Sequence, residues 1–279
     1  MREEELLCQS NYQSTTKDII IVVKDQSSYI KKCLESLYAN TSNFSVFIWD
    51  NGSSLETKEL LQSWEQQHDN LYLVRNETNE GFITPNNRLI EVTTAPFIIL
   101  LNSDTECRVG WSEALIGYLQ NHPEIGAVGY EGGLLYKNGM GFSPVSGLYI
   151  DYISGCSLAI PRYIYEEFGL FDEENLKFAY CEDADFCLRL KEGGKAIYVL
   201  SLELVKHHAN VTTRAVLKTL DITQEFISNH EYINKRHKDY MTKKRILLSY
   251  PGLEKQIASG EQYKTPKEAI VSITKQFLA

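Results

Sequence analysis

Short apolar segments of strand length alternate with amphipathic segments of helical spacing over the first half of the chain. The first segment, Asp18–Val23 (DIIIVV), is apolar on both faces, as is typical of a buried parallel strand. Further strands are expected at 44–49, 71–74, 97–101 and 125–130, and helices at 27–39, 55–67, 85–93 and 111–121. This alternation predicts βαβ units and an α/β fold with a mostly parallel sheet flanked by helices.

The later part of the chain is less regular. Residues 126–155 are rich in Gly, Tyr and Ser and lack a helical period, which predicts short β segments and loops that face a substrate. Helices are expected at 161–168 and 183–192, and a strand at 196–200. Beyond about residue 213 the sequence becomes helical and charged, which predicts a helical C-terminal extension.

Composition excludes several classes of protein. A formal net charge of -9 over 279 residues argues against general nucleic-acid binding, which needs a basic face. No apolar run approaches the roughly 20 residues of a membrane-spanning helix, and the N-terminal MREEELLCQS lacks the apolar core of a signal peptide. The 6 cysteines include no C-x-x-C pair, which indicates reduced thiols. We therefore expect a cytoplasmic protein.

Three of the predicted strands end in a polar cluster. Asp25, Asp50 and Asp104 each lie within four residues of such a strand end. The carboxyl ends of parallel strands meet at one edge of the sheet, where open α/β folds bind ligands. These acids are therefore candidate ligand-binding residues. The alternative for any single cluster is a simple turn, because Asp, Asn, Gly and Ser are common turn residues.

A further polar loop, Asn79–Phe82, precedes the helix that contains Asn87. Its glycine, Gly81, lets the backbone approach a ligand closely, and helix N-termini favour phosphate. The alternative is a loop without a ligand.

An acidic segment, Glu182–Asp185, places three carboxylates within four residues. Asp185 and Arg189 are i,i+4 neighbours on the predicted helix and are expected to pair. The flanking aromatic residues predict apolar walls, beside which a carboxylate can act as a general base. The alternative is an acidic helix start that the helix dipole stabilises.

Two adjacent histidines, His207 and His208, follow the last predicted strand. A histidine beside an acidic cation site is a candidate metal ligand. The alternative is a histidine with a surface or core role.

Eight pieces of sequence occur together in a fixed order. They are Ile20–Val23, Trp49–Ser53, Asn79–Phe82 with Asn87, Leu100–Glu106, Gly155-Cys156, Phe168–Glu173, Glu182–Asp185 with Arg189, and His207. In this order they resemble the inverting family-2 glycosyltransferases of the GT-A (Rossmann-like) fold, in particular their rhamnosyltransferase-like branch. The resemblance divides the chain into a flexible N-terminus (1–16), a GT-A catalytic domain (17–214) and a helical extension (215–279).

The resemblance also implies a role for each candidate residue. Asp50 is expected to hold the nucleotide base, and the other donor-binding residues are Asp25, Asn79, Gly81, Asn87 and Asn102. Asp104 is the expected metal ligand, with His207 as the second and His208 as the alternative. Asp183 is expected to be the general base, supported by Glu182. The acceptor-side residues are Gly155, Cys156, Glu182, Asp185 and Arg189.

The implied activity is metal-dependent transfer of a hexosyl or deoxyhexosyl group, with inversion, in polysaccharide biosynthesis. The expected donor is a UDP or dTDP sugar, the acceptor a glycan or lipid-linked hydroxyl, and the cation Mn²⁺ or Mg²⁺. One rival is a nucleotidyltransferase, against which the glycine-poor loop Lys24–Ser28 argues. The other is a sugar-nucleotide-binding protein without catalysis, against which the complete set of acids and the histidine argues.

A basic stretch between His230 and Arg245 stands out in an otherwise acidic protein. One interpretation is a helical cap that packs on the catalytic domain and exposes its lysines to solvent. The other is peripheral contact with an anionic membrane or a lipid-linked acceptor.

Overall fold

The computed structural model describes residues 16–135, 150–208 and 220–242. The strands are β1 (Lys17–Val23), β2 (Phe44–Asn51), β3 (Leu71–Asn76), β4 (Phe97–Leu101), β5 (Thr105–Cys107), β6 (Ile125–Gly129), β7 (Gly132–Gly133), β8 (Tyr152–Ile153), β9 (Ser157–Pro161), β10 (Ala196–Val199) and β11 (Val205–His207). The helices are α1 (Ser27–Asn40), α2 (Leu55–Gln67), α3 (Ile83–Val92), α4 (Trp111–Asn121), α5 (Arg162–Phe168), α6 (Glu182–Glu192) and α7 (Thr223–Arg236).

Seven strands form the central sheet in the order β10-β6-β9-β4-β1-β2-β3. The pairs β1–β2, β1–β4, β2–β3 and β6–β10 are parallel, so the predicted α/β fold with a mostly parallel sheet is confirmed. β9 is the exception, because it runs antiparallel to both β4 and β6. Sequence reasoning missed β9. Although all five of its residues are buried, its sequence SLAIP contains one β-branched residue and ends in Pro161, so its local preference for a strand is weak.

The helices cover both faces of the sheet, and each face has its own core. Ile20 of β1 packs in one core with residues of α3, α5, α6 and α7. Ile19 and Ile21 point to the other core, which α1, α2 and α4 cover. Successive strand residues point to opposite faces, so a strand between two cores must be apolar throughout. This explains why β1 reads as a continuous apolar run.

A small two-stranded sheet lies beside the central one. β11 pairs antiparallel with β5, and the register places His207 opposite Thr105. This pairing brings the end of the described segment 150–208 next to the residues that follow β4.

Helix α7 packs against the central domain. Its Ile233 is fully buried in the core, and His237, just beyond its end, is fully buried too. Arg236 forms an ion pair with Asp172 at 2.6 Å. These contacts favour the helical cap for residues 220–242, while the rest of the basic stretch lies outside the described residues. Within the part of the chain that the structure describes, no helix is long and apolar enough to cross a membrane.

Candidate active site

A cavity of about 270 Å³ opens at the carboxyl ends of β1, β2 and β4. Its position agrees with the edge at which open α/β sheets bind ligands. Of the candidate residues, those that line it are Asn79, Gly81, Asn102, Asp104, Gly155, Cys156, Glu182, Asp183 and His207. Those that lie outside the lining are Asp25, Asp50, Asn87, Asp185 and Arg189.

Asp104 and His207 form the charged pair at one side of the cavity. His207 Nε2 lies 3.3 Å from Asp104 Oδ1 and 3.4 Å from Asn102 Nδ2. The neighbouring His208 does not line the cavity, and its Nε2 contacts Glu106 Oε1 at 2.5 Å. The β5–β11 register pairs His207 with Thr105, and the side chain of Asp104, which precedes β5, contacts His207 and not His208.

Glu131 and Cys156 complete the surroundings of His207. Glu131 Oε2 lies 3.0 Å from His207 Nδ1, and ligand atoms of Glu131, Cys156 and His207 lie within 4.8 Å of one another. Burial disfavours the imidazolium, but hydrogen bonds to Asp104, Cys156 and Glu131 outweigh it and raise the pKa of His207. Sequence reasoning missed Glu131. Its signal was its place two residues after β6, which resembles the place of the acids after the other strands.

This donor set fits a divalent cation. Carboxylate oxygens suit Mg²⁺ and Mn²⁺, and an imidazole nitrogen favours the transition metal. Asp104 Oδ1 and His207 Nε2 lie next to each other although the two residues are far apart in the sequence. The carboxylate of Glu131 contacts the other ring nitrogen of His207, Nδ1, and so orients the ring. A carboxylate that holds the far nitrogen of a ligating histidine is common at metal sites.

The loop Asn79–Phe82 is held by Asn51, a residue that sequence reasoning did not select. Asn51 Nδ2 donates to Asn79 Oδ1 and to Gly81 O, each at 2.7 Å, and Asn51 Oδ1 accepts from Glu80 N at 2.8 Å. Gly81 has a φ of +83°, and a Cβ there would lie 2.2 Å from Phe178 O. Glycine is therefore required at this position both by its φ and by the approach of Phe178. The clue to Asn51 was its place in the cluster that ends β2.

Glu182 and Asp183 begin α6 at the opposite side of the cavity. Asp183 Oδ2 accepts from Gly155 N at 3.3 Å, and its Oδ1 accepts from Ala184 N at 2.7 Å. Glu182 is 6% exposed, and its Oε2 has no hydrogen-bond partner among the described residues. Burial raises the pKa of both carboxyls, and the charge of Asp183 raises that of Glu182 further.

Asp50 and Asp25 lie outside the cavity because their carboxylates serve the turn after β2. Asp50 is fully buried, accepts from Ser53 N at 2.9 Å and pairs with Arg75. Asp25 accepts from Ser54 N at 2.7 Å. Asn51, the residue after Asp50, lines the cavity itself.

Three more candidate residues lie outside the cavity lining because their side chains bind other parts of the protein: Asn87, Asp185 and Arg189. Asn87 donates to Phe171 O at 2.9 Å and accepts from Phe171 N at 3.0 Å. The predicted i,i+4 pair is confirmed, since Arg189 Nε lies 2.8 Å from Asp185 Oδ2. Asp185 Oδ1 also lies 2.9 Å from His237 Nε2, Arg189 donates to Leu170 O at 2.7 Å, and neither residue lines the cavity.

Comparison with known proteins begins with sequence. Residues 18–136 match the family model "Glycosyl transferase family 2". The chain is 29% identical over 98 residues to Glycosyltransferase AglE of Haloferax volcanii, which covers 34% of this chain and 32% of that protein. It is 26% identical over 99 residues to Putative glycosyltransferase EpsH of Bacillus subtilis, covering 35% of this chain and 28% of that one. The matched stretch spans about a third of these relatives' length.

Comparison with solved structures extends the likeness over most of the chain. The crystal structure of GalNAc-T7 with UDP, GalNAc and Mn²⁺ matches with a TM-score of 0.63 and 15% identity, covering 86% of this chain and 52% of that one. The mannosyltransferase PcManGT from Pyrobaculum calidifontis, in complex with GDP-Man and Mn²⁺, matches with a TM-score of 0.56 and 14% identity, covering 98% and 85%. At these identities the likeness concerns the fold. Residues 18–136 are thus similar to glycosyltransferase family 2, and the α/β fold of the chain is similar to the GT-A fold of these glycosyltransferase structures.

Proposed function

We propose that this protein is an inverting glycosyltransferase that transfers a sugar from a nucleoside-diphosphate sugar to an acceptor hydroxyl. One observation carries the proposal. The pair Asp104–His207 and the pair Glu182–Asp183 line the same cavity, so a cation site and a candidate base share one space. The family 2 match over residues 18–136 supports the same reaction class.

The donor is proposed to lie at the strand ends. Asp104 and His207 would hold Mn²⁺ or Mg²⁺, with Asn102 beside them. When bound, a divalent cation neutralises the charge that develops on the diphosphate leaving group. The backbone of Asn79–Phe82 lies before α3, whose N-terminus favours phosphate. The proposed effect of Asp50 on binding of the nucleotide base is indirect. Its carboxylate holds the turn after β2 and the side chain of Arg75 in place.

The acceptor is proposed to lie beside α6. Asp183 removes the proton from the acceptor hydroxyl as its oxygen bonds to the anomeric carbon. The bond from that carbon to the diphosphate oxygen breaks, and the electron pair leaves with the nucleoside diphosphate. A single displacement of this kind inverts the anomeric centre. Burial raises the basicity of Asp183, and the N–H groups of Gly155 and Ala184 orient its two oxygens.

Glu182 is proposed to bind the acceptor. Its Oε2 is buried and lacks a hydrogen-bond partner in the described ranges, yet the residue lines the cavity. A buried polar atom without a partner is costly. A hydroxyl of the acceptor would supply that partner.

Donor and acceptor identity follow from resemblance. UDP and dTDP sugars with a hexosyl or deoxyhexosyl group are the proposed donors, and the rhamnosyltransferase-like branch is part of this proposal. A glycan or lipid-linked hydroxyl is the proposed acceptor. UDP and GDP-Man occur in two structures of similar fold, so GDP is also included in the test.

A ligand panel tests the proposal. Thermal unfolding is measured with UDP, dTDP and GDP, each with and without Mn²⁺, and hydrolysis of the matching nucleotide sugars is followed by product release. We expect one nucleotide to raise the melting temperature in a Mn²⁺-dependent way, because a ligand that binds the native state stabilises it. Slow hydrolysis of the corresponding sugar nucleotide is also expected. Binding without hydrolysis or transfer would favour a non-catalytic protein. Pyrophosphate release from a nucleoside triphosphate and a sugar 1-phosphate, supplied in place of the nucleotide sugar, would favour a nucleotidyltransferase.

A further inference from the structure

The loop that leads into α6 has an unusual backbone. Phe178, Tyr180 and Cys181 have φ angles of 65°, 73° and 72°, in the left-handed region that side chains other than glycine rarely adopt. Such conformations persist only where the surrounding structure holds them. The loop therefore needs a partner outside itself.

This loop forms a wall of the cavity. Phe178, Ala179 and Tyr180 line it, and the chain then continues directly into Glu182 and Asp183. Phe178 O also accepts from Phe82 N at 2.6 Å, so the loop contacts the segment that contains Gly81. A shift of its backbone would move the carboxylates of α6.

Asn229 of α7 supplies that partner. Its side chain is fully buried, and its Oδ1 accepts from Lys177 N at 2.9 Å. Its Nδ2 lies within hydrogen-bond distance of Lys177 O at 2.9 Å, Ala179 O at 3.0 Å and Tyr180 O at 3.1 Å. One amide from a helix about 50 residues later in the chain thus binds four backbone groups of the loop.

We propose that Asn229 is a positioning residue for the transfer reaction. By holding the backbone of 177–181, it sets where Glu182 and Asp183 enter the cavity, and it makes α7 part of the active site. The assignment of these carboxylates to the acceptor rests on the proposed function. Ile222, which precedes α7, also lines the cavity and is consistent with this role for the C-terminal segment.

Two variants and a matched control test the proposal. Asn229→Asp keeps the size of the side chain and its acceptor oxygen, Oδ1. It replaces the Nδ2 amide group, the donor that faces three carbonyls, with a carboxylate oxygen. Asn229→Ala removes all of these bonds. Asn234→Ala is the control, because Asn234 lies on the same helix and its Nδ2 bonds locally to His230 O at 2.9 Å.

Three quantities are measured on each protein at equal folded fraction: amide hydrogen exchange, nucleoside-diphosphate affinity with Mn²⁺, and kcat for transfer. We expect both Asn229 variants to exchange faster at residues 178–183 while the central strands stay protected. Transfer should fall on the order of 10- to 100-fold, because small misplacements of a catalytic group are that costly. Nucleotide affinity should fall by a smaller factor than transfer, since the loop reaches the proposed donor segment through Phe178 O, whereas it leads directly into the carboxylates of α6. Asn234→Ala should behave as wild type.

Unchanged exchange at residues 178–183 in both variants would overturn the proposal, whatever reaction the protein catalyses. Equal losses of transfer and nucleotide affinity would overturn it too, because that pattern would mean that Asn229 acts on the nucleotide site and not specifically on the carboxylates of α6. If the wild-type protein transfers no sugar, the proposed function fails, and the exchange data alone then decide whether Asn229 holds the loop.

Discussion

His207 Nε2 lies 3.3 Å from Asp104 Oδ1, and the two residues reach each other through the antiparallel pairing of β11 with β5. Because side chains of consecutive strand residues point to opposite faces, the same register turns His208 away, toward Glu106. The relationship makes the two adjacent histidines experimentally distinguishable.

His207→Gln is expected to abolish the Mn²⁺-dependent part of nucleotide binding, as is Asp104→Asn. His208→Gln is the matched control and should retain it, since its ring contacts Glu106 and lies outside the cavity lining. The measurement is the melting temperature with nucleoside diphosphate, with and without Mn²⁺. If only His208→Gln loses the Mn²⁺ effect, the metal ligand is His208 and the assignment to His207 is wrong.

Asp183→Asn is expected to slow transfer by about 10²–10⁴-fold, the usual contribution of a general base. Nucleotide affinity should survive, because the base contacts the acceptor. Glu182→Gln should cost less, since it removes an acceptor contact and leaves the base in place. Steady-state transfer and nucleotide titration on both variants check this. If Asp183→Asn transfers at a near wild-type rate and Glu182→Gln is inactive, then Glu182 is the base and Asp183 is not.

The pH dependence of transfer follows from the raised pKa of Asp183. Burial favours the protonated form, so the base becomes available only at a pH above the ordinary aspartate pKa of about 3.9. We expect kcat/KM to rise with pH along a limb whose midpoint lies above that value. Glu182 has the higher pKa of the pair, about 8 against about 6 for Asp183, and is therefore protonated where Asp183 titrates, so Glu182→Gln should leave the midpoint nearly unchanged. A midpoint at the ordinary aspartate value would contradict the buried base.

The buried pair of Asp185 and His237 should stabilise the fold. His237 Nε2 lies 2.9 Å from Asp185 Oδ1, and both side chains are fully buried. Burial opposes both charges, but their hydrogen bond outweighs it, lowering the pKa of Asp185 and raising that of His237. Because folding lowers the pKa of Asp185, its carboxylate stabilises the protein at pH values above the ordinary aspartate pKa. Because folding raises the pKa of His237, its imidazolium stabilises the protein fully at pH values below the ordinary histidine pKa, and this contribution is lost as the pH rises through the raised value. The pair therefore contributes most between about pH 4 and 6.5.

We accordingly expect His237→Gln to lower the free energy of unfolding by about 2 kcal/mol near pH 5.5, the usual contribution of a hydrogen bond to a charged group. The loss should shrink as pH rises through the raised histidine pKa. His230→Gln is the control, because His230 bonds locally to Phe226 O at 2.7 Å. Urea unfolding at pH 5.5 and pH 8.5 gives both values. A loss that grows with pH would contradict the charged pair.

Gly81→Ala is expected to weaken both stability and nucleotide binding. Gly81 and Gly110 have nearly the same φ, +83° and +82°, but only at Gly81 would a Cβ collide with Phe178 O. At Gly110 a Cβ meets no atom of the described chain within 4 Å. Gly110→Ala therefore costs only the backbone strain, about 1 kcal/mol, and any larger loss in Gly81→Ala reports the contact. Equal losses in the two variants would show that the contact is unimportant.

Local pattern predicted much of the sheet. The strand Phe97–Leu101 and the helices at 55–67 and 111–121 have the expected bounds, because apolar runs bounded by Pro or polar clusters leave few alternatives. β9 was missed because its sequence, SLAIP, has a weak local preference for a strand. Its place between β4 and β6 depends on pairing between segments distant in sequence.

The site was less predictable for a related reason. Residues such as Asp104 could be selected because they lie at a strand end, but Asp25 and Asp50 show that such a place does not ensure exposure to the cavity. The choice between His207 and His208 depended on a strand register. Asn229 had no local signal at all, because its role depends on how α7 packs against a loop elsewhere in the chain.

The parallel strands present their carboxyl ends to the cavity, whereas β9 presents its amino end, and Gly155 and Cys156 enter the cavity from there. On the proposed function, the segment before β9 can change in length or composition while the ends of β1, β2 and β4 keep the proposed donor site. Evolution can then replace the acceptor without changing recognition of the nucleotide sugar. A chimera that exchanges only this segment should accept a new range of acceptors and keep its donor.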